Sequence, residues 1–334
     1  SPNNFLDQIK AAKQIKDLMP YLTTLGERGL ETFDQIRFGL LSFPFLIPIE
    51  NQSNINVIEE FFNSSILQPF ELFKEIIQEI MLYSLWRSDF FEIAAFQGGT
   101  SLRILHQLPR FSEDMDFILQ EPSADFSWQP YLDSMAATFK EFGIKPEALD
   151  KARMDQRIKK AIIKDNSIAN QLNLSFMDDL NGRKLKIKLE IDCNPPDGSG
   201  FDYTYLDFPI DFEVCHQDIS SNFALKIHAL LCRGYLKGRD WYDFSWYVAQ
   251  KVKPNLFLLQ NALFQYGPWQ DQKLTIDHDW LVKALEGKIA NIDWKQATAD
   301  VKRLVKESEQ KSLNLWSERF FISKLNKITP HDHQ

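Results

Sequence analysis

Two short stretches of this chain carry residue types suited to phosphate chemistry. Gly98-Gly99-Thr100-Ser101 follows the apolar run Phe90 to Phe96 and precedes Leu102 to Leu108, whose apolar spacing is helical. The order is therefore strand, glycine turn, helix. Two glycines at such a turn let the backbone approach a bound group closely, and the free amides of a helix start favour an anion such as a triphosphate. Thr100 or Ser101 is placed to cap that helix. Beyond Pro109 stand Asp114 and Asp116, at the entry of a second expected strand, Met115 to Leu119. Alternate residues of an extended segment share a face, so the two carboxylates can share divalent cations. Cations held there would activate an attacking hydroxyl and steady a departing pyrophosphate. Taken singly, each half also reads as a plain turn or a solvated strand entry, and it is their pairing that points to chemistry.

Other elements must hold these stretches in place. Phe5 to Leu25 and Phe70 to Leu85 have helical apolar spacing, the second with Phe70, Phe73, Ile77, Ile80, Met81 and Leu85 on one stripe. Lys184 to Asp192 alternates with period two, placing Leu185, Ile187, Leu189 and Ile191 on one side and Lys184, Lys186, Lys188, Glu190 and Asp192 on the other. That is a strand, and its charged side also fits the solvated face of an edge strand. Pro195-Pro196 ends it, and Asp197 to Asp202 reads as a loop. From about Ser221 the pattern is helical, over Phe223 to Leu236, Trp241 to Ala249, Leu256 to Phe264, Trp280 to Ile289 and Trp294 to Lys306. The chain thus divides into a helical lead-in (1–85), a core (86–220) and a helical lobe (221–330), with a frayed tail after Ile328.

Composition sets the class. With 44% hydrophobic and 25% charged residues over 334 positions, the chain has the balance of a globular protein, and its 27 Phe and 8 Trp predict a ring-packed core. Cys193, Cys215 and Cys232 form neither a CxxC pair nor an even set, which fits a reducing compartment without a disulfide framework. The longest apolar stretch, Phe38 to Ile49, is broken by Pro44 and Pro48, so a cytoplasmic protein with no membrane span is expected. The net charge of −8 argues against indiscriminate coating of nucleic acid. Basic islands at Lys151 to Lys164 and Lys226 to Arg239 still leave room for one bound RNA. The six histidines show no metal-ligand spacing.

Gly98 to Ser101 followed by Arg110-Phe111-Ser112-Glu113-Asp114-Met115-Asp116 closely resembles the signature of the AbiEii/AbiGii nucleotidyltransferase toxins, a branch of the polymerase-beta-like superfamily. The resemblance extends to Ile187 through Asp192 with Pro195-Pro196, to Ala224-Leu225-Lys226, and to Lys237-Gly238-Arg239-Asp240-Trp241-Tyr242-Asp243, covering roughly Phe70 to Val248. It implies an α+β fold: a small mixed sheet flanked by helices, with an all-helical C-terminal lobe. It also implies an NTP substrate, Mg2+ or Mn2+, transfer of a nucleotide to an acceptor RNA such as tRNA, and a toxin role in a toxin–antitoxin or phage-defence pair with an antitoxin partner. By the same resemblance Asp114, Asp116, Glu190, Asp192, Lys226 and Asp240 form the catalytic set, with Asp114, Asp116 and Glu190 as metal ligands. Glu190 matches the family's third carboxylate, although Asp192 on the same face could serve. Gly98, Gly99, Thr100, Ser101, Arg110, Ser112, Lys226 and Arg239 form the nucleotide-binding set, where Arg110 and Ser112 either contact phosphate or brace the turn. Asp243 supports the site through ion pairing. The competing expectation is a nucleotide- or partner-binding module that has lost catalysis on the same fold.

Overall fold

The computed structural model describes residues 69–141, 169–178, 184–270, 272, 274–305 and 307–328. The helix expected over Phe5 to Leu25, the basic stretch Lys151 to Lys164 and the tail beyond Ile328 lie outside them. The first described helix, α1 (Pro69–Trp86), opens on a proline at the position where the missing amide costs nothing. Ile77, Ile80, Met81 and Leu85 are buried as the stripe predicts, but so are Ile76, Leu82, Gln78 and Glu79. Protein therefore surrounds α1 on more than one side, and it packs on α3 (Gln129–Glu141) and on the sheet.

Strand β1 is shorter than the apolar run that announces it. Phe90–Glu92 forms a 3-10 turn, entered through Asp89 in the left-handed region at φ 57°, and only Ala94–Gln97 is extended. The Phe90 ring turns inward, stacked on Trp128 at 5.5 Å and edge-on to Phe117 at 5.1 Å. Helix α2 (Gly98–His106) follows without an intervening loop, and β2 (Met115–Leu119) returns antiparallel to β1.

Strand β4 (Lys184–Asp192) is confirmed, but as an inner strand, parallel to β2 on one side and antiparallel to β3 (Ala169–Asp178) on the other. Strand β3 was not foreseen, nor were two strands that follow β4. Phe201 and Asp202, expected in a loop, open β5 (Phe201–Leu206), which pairs antiparallel with β6 (Phe212–Gln217). The six-stranded mixed sheet has the order β3-β4-β2-β1-β6-β5.

The helical region consists of α4 (Ile219–Cys232), α5 (Gly238–Ala249), α6 (Leu256–Gln265), α7 (His278–Ile289), α8 (Trp294–Lys302) and α9 (Glu318–Leu325). Asp218, Asn255, Asp277, Asp293 and Ser317 each accept a backbone N–H as N-cap, which fixes where these helices begin. The first helix ends at Cys232 rather than Leu236. Among the described residues two large apolar cores result, one around the sheet and α1, the other among α4 to α9, with a small third cluster of Val301, Val305 and Leu313. Leu102 and Leu108, from the strand-rich half of the sequence, pack in the second core, while Leu225 touches both. No helix among the described residues is long and apolar enough to cross a membrane.

Candidate active site

The expected carboxylates meet at the junction of β1, β2 and β4. Asp116 is in register with Gln97 on one side and with Glu190 on the other, so Asp116 and Glu190 share a face of neighbouring parallel strands. Asp114 stands one residue before β2 and adds its charge. Burial pushes the Asp116 carboxyl up to about 6, helped by Glu190 and Asp114 and opposed by Lys226 and Lys188. Lys188 makes an ion pair with Glu190. Asp192, two residues further along β4, is in register with Ile118; its carboxylate accepts Asn194 N at 3.0 Å, and burial raises its pKa. Glu190, and not Asp192, is among the groups that perturb Asp116.

The glycine turn lies against this group. Gly98 has φ +77°, and a Cβ built there would sit 2.6 Å from Asp116 Oδ2, so only glycine lets α2 start so close to the carboxylate. Gly99 is packed on the Arg110 guanidinium and Ser112. The capping expectation for Thr100 and Ser101 is corrected: Gln97 occupies the N-cap position and no side-chain cap forms. Thr100 donates to Asp114 O and also bonds Ser112 Oγ at 2.9 Å; Ser101 donates to Gly98 O at 2.9 Å. Both side chains are buried; Thr100 ties the Asp114 backbone to α2, and Ser101 closes on its own turn.

A second group, rich in cations, stands beside the acids. Lys226 of α4 lies 2.9 Å from Asp240 Oδ1 and 3.0 Å from Asp243 Oδ2, one helical turn apart on α5. Asp240 Oδ2 pairs with Arg233. Arg110 donates through Nε and Nη2 to the two Asp243 oxygens at 2.6 and 2.7 Å, and through Nη1 to Phe111 O at 2.9 Å. Its side chain is 2% exposed, which makes Arg110 a brace between the β2 lead-in and α5 rather than an open phosphate ligand. Burial alone would raise Asp240, but Lys226 and Arg233 outweigh it and hold the carboxyl at about 2. Burial would likewise depress Lys226, but Asp240 and Asp243 overcome it, so its pKa is raised and it stays charged. Arg239 is half-buried on α5, outside the ion pairs found among the described residues.

Three cations, Arg110, Lys226 and Arg233, stand against two carboxylates in this second group and leave one positive charge over. The first group, three carboxylates against Lys188, leaves two negative charges. Two supporting residues escaped the sequence reading. Gln78 Nε2 donates to the carbonyls of Ser112 and Glu113 at 3.1 and 3.0 Å, clamping the backbone just before Asp114. Asn222 accepts Gly98 N at 3.3 Å and donates to Ser101 Oγ at 3.0 Å, joining α4 to the glycine turn. A buried amide inside the apolar run of α1 was the only signal for Gln78; nothing local marked Asn222.

Hard oxygen donors with excess negative charge fit a divalent cation. Among the described residues no three His, Cys, Asp or Glu side chains form a ready metal cage. Magnesium does not need one, since it is commonly held by one or two carboxylates together with substrate phosphates.

A candidate nucleotidyltransferase from H. pylori is similar in structure with 14% identity and a TM-score of 0.42, covering 79% of this chain and 100% of that one. JHP933 from Helicobacter pylori is similar with 15% identity and a TM-score of 0.43, covering 78% and 91%. No curated protein matches the sequence. The model of the family described as nucleotidyl transferase AbiEii toxin, type IV toxin–antitoxin system, matches residues 80–319, a span that takes in both charged groups and every strand, and the chain belongs to that family.

Proposed function

We propose that this chain is a metal-dependent toxin enzyme that moves a nucleoside monophosphate from an NTP to a hydroxyl of an RNA acceptor, with tRNA the first acceptor to try. Family membership implies the NTP substrate and an antitoxin partner. The observation that carries the rest is the partition of charge: an acid group around Asp116 in which Lys188 offsets one of three carboxylates, beside a Lys226-centred group with cation to spare. Asp114, Asp116 and Glu190 would hold a divalent cation, which supplies charge neutralisation for the triphosphate and lowers the pKa of the attacking hydroxyl. The start of α2 stands against Asp116, where its N-terminal amides would favour the phosphates of a triphosphate held by these acids. Lys226, held charged by Asp240 and Asp243, stabilises the negative charge that develops on the leaving pyrophosphate. The acceptor oxygen bonds to the α-phosphorus, the bond from that phosphorus to the pyrophosphate oxygen breaks, and the hydroxyl proton is released.

Incubation with labelled NTPs, magnesium and bulk tRNA is expected to label RNA with the wild type and not with Asp116→Asn. Undiminished labelling by Asp114→Asn and Asp116→Asn would remove these acids from the mechanism. For the toxin role, induced wild type is expected to arrest growth and Asp116→Ala to spare it; normal growth with abundant soluble wild type would exclude toxicity.

A further inference from the structure

We infer that the cleft between the end of α4 and the start of α8 seats a nucleotide of a single-stranded RNA acceptor, its base stacked on Tyr235. This rests on the nucleotidyl-transfer reading above and adds where the acceptor lies. The cleft has a volume of about 320 Å³ and is lined by Arg233, Tyr235, Lys237 and Asp240 on one side and by Lys288 and Asp293 on the other. That is within the range of small-ligand sites, roughly 300–1,000 Å³.

Its charge favours an anion. Asp293 accepts the N–H groups of Lys295 and Gln296 at 3.0 and 3.1 Å as the α8 N-cap. Asp240 is neutralised by Lys226 and Arg233. Lys288 hydrogen-bonds the carbonyls of Leu231 and Arg233 at 3.2 and 3.3 Å, and so fixes a positive charge at the end of α4.

Tyr235 then needs a reason to be where it is. It is 62% exposed and belongs to neither apolar core. The Arg233 guanidinium and the Lys237 ammonium lie 5.4 and 5.6 Å from its ring centroid. An exposed ring beside two cations, lining a cleft, is the chemistry by which unpaired bases stack while their phosphates are neutralised. A base within a duplex is already stacked and offers no free face. Asp240 is the partition between the cleft and the reaction centre, with Oδ1 on Lys226 and Oδ2 on Arg233. A nucleotide seated on Tyr235 is thus separated from Lys226 by the Asp240 carboxylate alone.

The test is binding, measured apart from turnover. A fluorescein-labelled single-stranded RNA octamer is titrated against wild type, Tyr235→Ala, Tyr235→Phe and Lys237→Ala by anisotropy, and NTP affinity is measured with magnesium by calorimetry. Tyr235→Ala is expected to weaken RNA binding by roughly tenfold to a hundredfold, Tyr235→Phe to restore it, and NTP affinity to stay unchanged in both. Lys237→Ala is expected to lower the slope of log K against log salt by about 0.7. Unchanged RNA affinity in Tyr235→Ala, or no rescue by Phe, overturns the assignment. An equal loss of NTP affinity means the cleft holds the NTP instead, which also overturns it. A wild type that transfers nucleotide to a protein or small hydroxyl and binds no RNA refutes the cleft assignment while leaving nucleotidyl transfer standing.

Discussion

Replacing Asp116 by Asn should make the metal-free protein more stable at alkaline pH and inactive at every pH. Folding lifts this carboxyl from 3.8 to about 6, a shift of about two units. At 1.36 kcal/mol per unit the ionised side chain costs the folded state roughly 3 kcal/mol at most, and partial exposure brings the expectation to roughly 1–3 kcal/mol. A folded pKa raised above the unfolded one means that the folded state binds the proton more tightly. The cost is therefore full above pH 6, shrinks as pH falls through 6, and is gone below about 4. Urea unfolding in EDTA is the assay. At pH 8 Asp116→Asn should exceed wild type by that margin, and near pH 4 the two should coincide. Magnesium or manganese added at pH 8 should stabilise wild type, by about 1.4 kcal/mol at ten times Kd, and leave the variant nearly unmoved. A variant less stable than wild type in EDTA at pH 8, or a gap independent of pH, would show that burial beside Glu190 and Asp114 does not penalise the ionised Asp116 carboxylate.

Asp243→Ala strips a counter-charge from both Arg110 and Lys226, whose side chains are 2% and 12% exposed, and should cost roughly 3–5 kcal/mol in urea unfolding; a loss below about 1 kcal/mol would refute the buried cluster. Glu190→Gln should lower kcat by roughly a hundredfold or more, whereas Asp192→Asn, in register with Ile118 and bonded to Asn194 N, should retain most activity; the reverse ranking in a labelled-NTP assay would move the third carboxylate to Asp192. Gly238→Ala would drive a Cβ into the Ala297 carbonyl oxygen and should destabilise by roughly 1–3 kcal/mol, read as a lowered Tm; an unchanged Tm would contradict the close approach of α5 and α8.

The parts of the fold legible in the sequence are those where local pattern and tertiary environment agree. Period-two alternation gave β4 because its apolar side faces one core, and Asp116 found Glu190 because both acids sit at matching positions of parallel strands. The alternation carried no information on β4's neighbours, so it reads equally well as an edge strand until β3 is paired to it. Strands β5 and β6 were hidden for a different reason: β5 keeps Tyr203 and Tyr205 exposed, so apolar residues mark no single face, and the glycine-rich lead-in reads as a loop. At the site, the short-range motifs named Asp114, Asp116 and the glycines, whereas Glu190 and Lys226 took their roles from the family resemblance. Gln78 and Asn222 act across separations of 34 to 124 residues, which no local spacing encodes.

The buried pair Arg110–Asp243 raises a question that stability alone does not answer. Burying both ions carries a desolvation cost that their attraction only offsets, and apolar residues of similar size would often serve stability as well. What they would not supply is position. Arg110 belongs to the segment that delivers Asp114 and Asp116, whereas Asp243 belongs to α5 and touches Lys226. The bidentate geometry has a narrow range of distances and angles, so it fixes α5 against the β2 lead-in more tightly than a greasy contact would. Through Asp243 the same constraint reaches Lys226, and so sets how far the cation stands from the acid group. On the proposed mechanism, transition-state stabilisation would depend steeply on such placement, and the pair would act as positioning residues although neither side chain needs to meet the substrate.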